Sequence, residues 1–575
     1  MTNPRSILLI ALLLVSFLIW NQWQQDYAQA PAPGAAPTAA APAAPAAAAT
    51  PGQSNDVPTA STASAVPAAA GTGAVPDSAA ATQGELIEVS TDVLKLWIDS
   101  RGASVIRAEL LAYPQQPKDY AHPVRLLDDS ADHFFVAQSG LTSATGSAKS
   151  PSHQDVFSSE QKSYTLGADQ KTLEVPFTWT DPATGLSVRK VYVLERGSYV
   201  VGNRQEIKNE GSSAWTGNAY RQLQRVIPPA AKHGFFGSIT NPQTYSFTGA
   251  AWYSPEEKFQ KLAFDKFAKN PLKDQAVTGG WIAMLQHYFF AAWLPQDKSP
   301  ESYTTEIHGG SANAAPRFLI RSMGPGISVP AGGSATSEAR LYVGPKLQST
   351  LNDVAPGLAL TIDYGVLTFI SEPLHWVLAK LYALTGNWGF AIILLVLLIK
   401  AVFFKLSEAQ YRSMAKMRKL QPRVQALKDR YGDDRQKMNQ AMMELYQKEK
   451  INPLGSCLPM LVQIPVFFAL YWVLVESVEL RQAPFFLWIQ NLTAPDPYFV
   501  LPLLNAATMI ATQYLTPTTG MDPVQARMMK VMPVIFSVLF AFFPAGLVLY
   551  WTVNGMTSLL QQWIITRRIE AADAK

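Results

Sequence analysis

One apolar run in the C-terminal half of this chain constrains its fold more than any other feature. Residues 389–404 read GFAIILLVLLIKAVFF, so a single lysine, Lys400, interrupts a stretch of near-membrane length, and a segment dense in lysine and arginine follows directly. A charged side chain at the centre of a bilayer costs at least about 2.5 kcal/mol, so it usually faces a water-filled cavity or a pathway. We therefore expect the functional residues of this chain to lie near Lys400.

A second reading of Lys400 stays open. The residue lies six positions before Leu406, so its long side chain is also able to carry the ammonium to the cytoplasmic interface, as we expect of Lys405. Polar residues recur in later apolar runs, several of them on one helical face: Gln463; Asn505, Thr508 and Thr512; Asn554, Thr557, Ser558 and Gln561. These side chains either hydrogen-bond between helices or, with Lys400, line a hydrated groove open to the cytoplasm and to lipid.

Composition predicts a protein that is only partly embedded in a membrane. The chain has 575 residues, of which 48% are hydrophobic and 16% charged, a balance too apolar for a soluble protein and too polar for one buried in lipid throughout. Its only cysteine is Cys457, which excludes an intrachain disulfide. Any exported domain must therefore be held together by its core alone.

The beginning of the chain predicts a membrane anchor followed by a disordered tether. Arg5 precedes an apolar run over residues 7–20, which is typical of a signal peptide or of a first transmembrane helix. The Ala-Gln-Ala motif at residues 28–30 resembles a cleavage site, but polar residues separate it from the run, and we favour an uncleaved anchor over residues 1–27. Residues 28–83 are almost entirely Ala, Pro, Gly, Ser and Thr, a composition that buries too little apolar surface to fold.

Residues 84–345 predict one large all-β sandwich outside the cytoplasm. Apolar side chains recur at every second position in two neighbouring runs: Leu173, Val175, Phe177 and Trp179, then Leu186, Val188, Tyr192 and Leu194. The intervening residues 181–185 (DPATG) have the composition of a turn. This part of the sequence shows no metal-ligand spacing and no nucleophile motif.

Residues 346–386 predict a linker and an amphipathic helix. Apolar residues fall on one stripe of this helix: Ile370, Leu374, Val377, Leu378 and Leu381. Ser371 suits the N-cap position and Pro373 the first turn. The helix either lies along the outer membrane interface, which we favour, or extends the next helix. Gly386 and Gly389 favour a break between the two.

Five further apolar runs are candidates for transmembrane helices and, with the N-terminal anchor, give six spans. They cover residues 388–406, 458–475, 498–515, 531–543 and 547–565. Several are short, which predicts a locally thinned bilayer. Residues 407–452 hold eleven lysine and arginine residues, whereas the loop over residues 476–497 holds only Arg481. The basic side is cytoplasmic, so we expect both chain ends in the cytoplasm.

The basic segment over residues 407–452 predicts a cytoplasmic helical hairpin. Apolar residues recur at helical spacing on both sides of a break at residues 432–434: Met417, Leu420, Val424, Leu427, Met438 and Met442. A methionine-rich seam adapts to hydrophobic segments of varied shape, which makes these residues candidates for substrate capture. In the alternative reading, the seam only pairs the two arms.

The motifs of common enzyme classes are missing from the sequence. There is no His-Glu-x-x-His zinc motif, no Gly-x-Ser-x-Gly nucleophile elbow, no Gly-x-x-x-x-Gly-Lys phosphate loop and no Cys-x-x-Cys. The predicted spans hold no Asp or Glu for proton coupling, since Glu476, Glu479 and Asp496 fall in the outer loop. We therefore expect neither an enzyme nor an ion-driven transporter, and no cofactor.

Several long segments resemble one known family. They read NWGF at residues 387–390, YRSMAKMRKLQPRVQALKDRYGDD at 411–434, INPLGSCLPMLVQIPVFFALYWVL at 451–474, VELRQAPFFLWI at 478–489 and FFPAGLVLYWTVNG at 542–555. With the anchor, the tether and the exported domain, the chain resembles the YidC/Oxa1/Alb3 membrane protein insertases of the Gram-negative type. The likeness is specific from about residue 369 onward and architectural in the β domain.

The resemblance implies an inner-membrane protein with a periplasmic β-supersandwich and five core helices around a hydrophilic groove. Together with the polar residues above, it gives these groove candidates: Lys400, Gln463, Asn505, Thr508, Thr512, Tyr550, Trp551 and Asn554. Lys400 stands where the family usually has an arginine, which keeps the charge but not the planar fork that binds a carboxylate through two hydrogen bonds. Trp551 stands where the family often has the second of two tyrosines.

We accordingly expect a membrane protein insertase and chaperone that works without ATP or a cofactor. The partners that the resemblance implies are nascent membrane proteins, the Sec translocon with its accessory subunits, membrane lipid and translating ribosomes, the last facing Arg567 and Arg568. Sequence-specific contact with nucleic acid is not expected. A secondary transporter, whose inverted repeats are not visible here, and a structural envelope scaffold acting through the β domain are the alternatives.

Overall fold

The computed structural model describes residues 84–144, 147–229, 246–296, 299–309, 315–432, 434–449, 458–515 and 523–573. The predicted N-terminal anchor and the predicted tether lie outside these residues. The described part consists of a β domain and a helical region that follows it in the chain.

Two packed sheets form the β domain. Its strands are β1 (Leu86–Ser90), β2 (Leu94–Asp99), β3 (Ser104–Pro114), β4 (Pro123–Leu127), β5 (Phe135–Ser143), β6 (Ser163–Thr165), β7 (Thr172–Asp181), β8 (Leu186–Glu195), β9 (Val200–Asn209), β10 (Trp215–Val226), β11 (Gly249–Ser254), β12 (Lys258–Ala263), β13 (Gln275–Val277), β14 (Trp281–Leu285), β15 (Phe289–Pro295), β16 (Glu301–His308), β17 (Arg317–Val329) and β18 (Ser334–Pro345). The larger sheet has ten described strands in the order β13-β16-β17-β10-β5-β3-β2-β1-β6, with β4 beside β3. The smaller has eight, in the order β12-β11-β14-β15-β18-β9-β8-β7. The predicted all-β sandwich is confirmed.

The smaller sheet is buried on both faces along β14 and β15. Ile282, Met284 and Trp293 point into the core between the two sheets. Their neighbours Trp281 and Phe290 belong to a second core, which continues into the helical region. Because successive side chains of a strand point to opposite faces, β14 and β15 contain almost no polar positions and show none of the alternation seen in β7.

The helical region follows β18. Its helices are α1 (Leu351–Val354), α2 (Thr368–Thr385), α3 (Trp388–Val402), α4 (Phe404–Lys419), α5 (Gln421–Tyr431), α6 (Arg435–Lys448), α7 (Leu458–Glu476), α8 (Val500–Leu515), α9 (Pro523–Phe540) and α10 (Ala545–Asp573). The predicted apolar runs are helical over most of their length. However, α9 starts well before the predicted run, and α10 extends beyond it at both ends.

The start of the amphipathic helix was predicted wrongly. A 3₁₀ turn at Gly365–Leu367 leads directly into α2, so helical geometry begins before Ser371. The Ser371 hydroxyl is buried and donates to the carbonyl oxygen of Ala469 on α7, at 3.2 Å, instead of capping its own helix. Pro373 consequently lies inside the helix and not in its first turn.

Among the described helices, only one bent pair combines the length and the apolarity of a membrane span. Taken singly, none of them is both long and apolar enough to cross a membrane, whereas Trp388–Val402 and Phe404–Met417 pass together as a pair bent by 66°. Val462–Glu476 and Val531–Phe540 are shorter apolar helices.

Candidate functional site

The side chain of Lys400 points into the helical region. It is 4% exposed, and its Nζ donates a hydrogen bond to the Ser558 hydroxyl oxygen on α10 at 2.8 Å. Lys405, five positions further on, is exposed. The ammonium of Lys400 is therefore turned toward a neighbouring helix, while the side chain of Lys405 is exposed.

Ser558 is the point at which three helices meet. Its hydroxyl donates to the Asn554 carbonyl oxygen at 2.7 Å, and its own carbonyl oxygen accepts a hydrogen bond from the Tyr411 hydroxyl on α4 at 3.2 Å. The 66° bend after α3 directs α4 so that Tyr411 reaches α10. One turn beyond Ser558, Gln561 Oε1 is buried without a hydrogen-bond partner. Buried polar atoms are rarely left unpaired in proteins, so this oxygen is available to accept a hydrogen bond.

The polar residues of α8 form hydrogen bonds mainly along their own helix. Asn505 is 1% exposed and its Nδ2 lies 3.7 Å from the Met509 sulfur. The Thr508 hydroxyl donates to the Asn505 carbonyl oxygen at 2.7 Å, and that of Thr512 to the Thr508 carbonyl oxygen at 2.8 Å. Gly555 of α10 lies against this face, where a Cβ atom would come within 2.8 Å of Thr508 Oγ1.

An aromatic cluster surrounds Trp551. Its ring centroid lies 4.8 Å from that of Phe467 on α7 and 5.6 Å from that of Phe540 on α9. The indole Nε1 is buried and has no hydrogen-bond partner. Tyr550 is buried beside it, and Gln463 is half-buried on α7. The cluster therefore offers an unused N–H donor between helices.

The predicted groove residues thus divide into separate neighbourhoods. Lys400 is in hydrogen-bond contact with Ser558, and through it with Asn554. Asn505 and Thr508 lie where α8 crosses α10, and Trp551 lies between α7 and α9. Tyr411 was missed by the sequence analysis, because it lies in the basic segment and only the bend after α3 brings it to the groove candidates.

The apolar seam of the cytoplasmic hairpin is packed within the hairpin itself. Leu420 and Val424 are buried, and Met417, Met442, Leu445 and Tyr446 pack around them. Leu427 and Met438 are half-buried. The first arm is not one helix as predicted, since α4 ends at Lys419 and α5 starts again at Gln421. This packing is the arrangement expected if the seam pairs the two arms.

The NWGF segment joins α2, α3 and the outer loop. The Asn387 side chain accepts hydrogen bonds from the Gly389 and Phe390 amides and donates to the Phe485 carbonyl oxygen at 2.9 Å. The Phe485 ring occupies the space beside Gly389, where a Cβ atom would come within 1.9 Å of it. Only glycine fits there. Trp388 stacks on Tyr382 of α2, with ring centroids 4.1 Å apart.

At the end of α10, Arg567 and Arg568 are exposed, and the Arg567 guanidinium lies 4.3 Å from the centroid of the Trp563 ring. Among the described residues, no group of three or more His, Cys, Asp or Glu side chains is arranged to hold a metal ion.

Comparison with known proteins connects these features to one family. The family model of the YidC periplasmic domain matches residues 86–377, and that of the 60Kd inner membrane protein matches residues 380–572. Proteins named membrane protein insertase YidC from Thioalkalivibrio sulfidiphilus and Methylococcus capsulatus are 45% and 46% identical to this chain, with 100% of both chains covered in each case. Another from Xanthomonas campestris pv. campestris is 47% identical over 99% of this chain and 98% of its own. A crystal structure of active YidC insertase with its first transmembrane domain resolved covers 83% of this chain and 94% of its own, at 17% identity and a TM-score of 0.36.

Proposed function

This chain belongs to the YidC family of membrane protein insertases, and we propose that it inserts its substrates along a polar groove centred on Lys400. Its substrates are then nascent membrane proteins, and its surroundings are the lipids of the bacterial inner membrane. The observation that carries the proposal is the inward-facing ammonium of Lys400, which is 4% exposed and bound to Ser558.

Apolar side chains on the outside of the helices support placement of this region in the membrane. Exposed examples include Leu397 and Val402 on α3, Leu503 on α8, and Ile535 and Val538 on α9. The five apolar segments predicted from the sequence, together with the N-terminal anchor, are the proposed six spans, and the five segments form the core. Phe369, Trp376 and Leu384 of α2 are also exposed, which supports a position of that helix at the outer interface. Both chain ends are then cytoplasmic and the β domain is periplasmic.

The groove lowers the cost of carrying a polar segment into lipid. When the outer tail of a substrate leaves water, its peptide and side-chain groups lose hydrogen bonds, at roughly 1 to 3 kcal/mol for each group left unpaired. Lys400, the unpaired Trp551 Nε1 and the unpaired Gln561 Oε1 supply donors and an acceptor that replace this water. Short helices thin the bilayer around the groove, and the apolar segment then partitions into lipid, which drives the step.

The cytoplasmic hairpin is proposed to meet the substrate first. Since Leu420 and Val424 are buried between its arms, capture by the seam requires the arms to separate. Arg567 and Arg568, exposed at the end of α10, are proposed to face the ribosome. Co-operation with the Sec translocon is proposed on the resemblance to the family alone. The step needs no cofactor and no catalytic residue.

The test compares Lys400→Ala with Lys400→Arg in proteoliposomes, with insertion of several single-span substrates measured by protease protection. We expect Lys400→Ala to lower insertion and Lys400→Arg to retain most of it, because the positive charge is kept. Lys405→Ala, which removes an exposed lysine close by, is the matched control and should insert like the parent. If Lys400→Ala inserts every substrate as well as the parent does, the groove charge is not the operative group.

A further inference from the structure

We propose that Ser558 is a positioning residue of the insertion step, whose hydroxyl holds the Lys400 ammonium inside the groove for a carboxylate of the substrate's outer tail. The inference rests on the groove proposed above and adds the group that sets where its charge lies.

The hydrogen bonds of Ser558 leave its hydroxyl in one orientation. A serine hydroxyl has one hydrogen and two lone pairs. The hydrogen goes to the Asn554 carbonyl oxygen at 2.7 Å, so only lone pairs face Lys400 Nζ, at 2.8 Å. The hydroxyl is thus prepared as an acceptor for the ammonium.

The ammonium keeps donors for a ligand. A lysine ammonium has three N–H groups, and Ser558 uses one of them. No carboxylate of the described residues forms an ion pair with it. A substrate carboxylate in this place therefore gains a charge-assisted hydrogen bond that no described acidic side chain competes for.

Tyr411 fixes the position of Ser558 itself. Its hydroxyl donates to the Ser558 carbonyl oxygen at 3.2 Å and so ties α4 to α10 beside the ammonium. Lys405 illustrates the alternative, since its side chain is exposed. A lysine without an inward acceptor extends toward the interface, where its charge is hydrated. When the Ser558 hydroxyl is removed, the Lys400 ammonium should likewise turn out of the groove toward the interface.

The experiment measures how insertion depends on the charge of the substrate tail. A single-span substrate is made with Asp residues in its outer tail and, in a matched copy, with Asn at the same positions. We expect Ser558→Ala to lower insertion of the Asp form about threefold to tenfold and to leave the Asn form unchanged. Ser558→Thr, which retains the hydroxyl, should restore the preference for the Asp form.

Thr552→Ala is the matched control for loss of a buried hydroxyl on α10. The Thr552 hydroxyl donates to the carbonyl oxygens of Val548 at 2.8 Å and Leu501 at 3.4 Å, whereas Lys400 Nζ donates to Ser558. The Thr552→Ala variant should insert the Asp and Asn forms of the substrate in the same ratio as the parent. Tyr411→Phe should lower this ratio in the same direction as Ser558→Ala, but less, because the serine acceptor is still present.

Three outcomes overturn the positioning role. If Lys400→Ala lowers the Asp-to-Asn ratio and Ser558→Ala does not, the groove charge acts without Ser558 and the proposed function stands. If Ser558→Ala lowers both forms equally, the serine only supports the fold. If even Lys400→Ala leaves the ratio unchanged, the charge in the groove plays no part, and the positioning role falls together with the proposed function.

Discussion

The imidazole of His287, in the turn between β14 and β15, donates a hydrogen bond from Nε2 to the carbonyl oxygen of Val475 near the end of α7, at 3.0 Å. The last carbonyl groups of a helix have no partner within the helix, and the β domain supplies one here. The adjacent Glu476 carboxylate accepts a hydrogen bond from the Ser246 hydroxyl at 2.8 Å. The β domain therefore caps the helix on which the proposed groove residue Gln463 lies.

This buried contact predicts a loss of stability in acid. Burial, helped by the positive charge of Lys346, lowers the pKa of His287 to about 3. A histidine in the unfolded chain has a pKa of about 6.5, so between about pH 6.5 and pH 3 the unfolded chain binds a proton that the folded chain does not. Between pH 7 and pH 4.5, we expect the free energy of unfolding of the parent to fall by about 2 kcal/mol more than that of His287→Gln.

The measurement is thermal unfolding of the detergent-solubilised full chain as a function of pH. His122→Gln is the control, because the His122 side chain is 73% exposed. It should follow the parent at every pH. Equal acid sensitivity of the parent and His287→Gln would mean that His287 is not held neutral by the fold.

A buried lysine in the β domain predicts a gain of stability in alkali, with the same sign of pH dependence as His287. Lys190 on β8 is fully buried, and its Nζ donates to the carbonyl oxygens of Gly102 at 2.7 Å and Ser139 at 2.9 Å. Burial lowers its pKa from 10.5 to about 7. Between these values the unfolded chain holds a proton that the folded chain has released, so stability rises with pH. From pH 7 to pH 9, the free energy of unfolding of the parent should rise by about 2 kcal/mol relative to that of Lys190→Met.

The same unfolding measurement, carried into alkali, checks this slope. Lys171→Met replaces an exposed lysine of the same domain and should keep the pH dependence of the parent. A parent without any gain over Lys190→Met would show that Lys190 stays charged inside the sandwich.

The sequence predicted what repeats along the chain and missed what depends on distant partners. The alternation of apolar residues identified β7 and β8. The same alternation places Lys190 on the buried face of β8, and the sequence analysis missed this buried lysine. In β14 and β15 alternation disappears because both faces of the sheet are covered. The sequence left two interpretations of Lys400 open, because the spacing of residues within one helix does not reveal which group accepts a hydrogen bond from the lysine side chain. That acceptor, Ser558, is 158 positions away in the chain.

The packing of the hairpin predicts that two acidic substitutions in α5 differ in how fast protease cleaves the hairpin. Val424 is 5% exposed between α5 and α6, and an unpaired carboxylate buried there would cost several kcal/mol. Val424→Asp should therefore separate the arms and expose them to protease added from the cytoplasmic side. Ala426→Asp, at an exposed position of the same helix, should leave the cleavage rate unchanged. Equal cleavage of the two variants would mean that the arms are not held together by this seam.

The crossing of α8 and α10 predicts strong coupling between Gly555 and Thr508. A Cβ atom at Gly555 would lie 2.8 Å from Thr508 Oγ1, so Gly555→Ala should lower the free energy of unfolding by about 1 to 3 kcal/mol through overpacking. In the Thr508→Ala background the same substitution should cost at least about 1 kcal/mol less, because the obstructing oxygen is gone. Thermal unfolding of the single and double variants in detergent measures this coupling. Thr512→Ala, one turn further along α8, is the control partner and should combine additively with Gly555→Ala. If the losses of unfolding free energy caused by Gly555→Ala and Thr508→Ala are also additive, the two helices do not approach each other at this point.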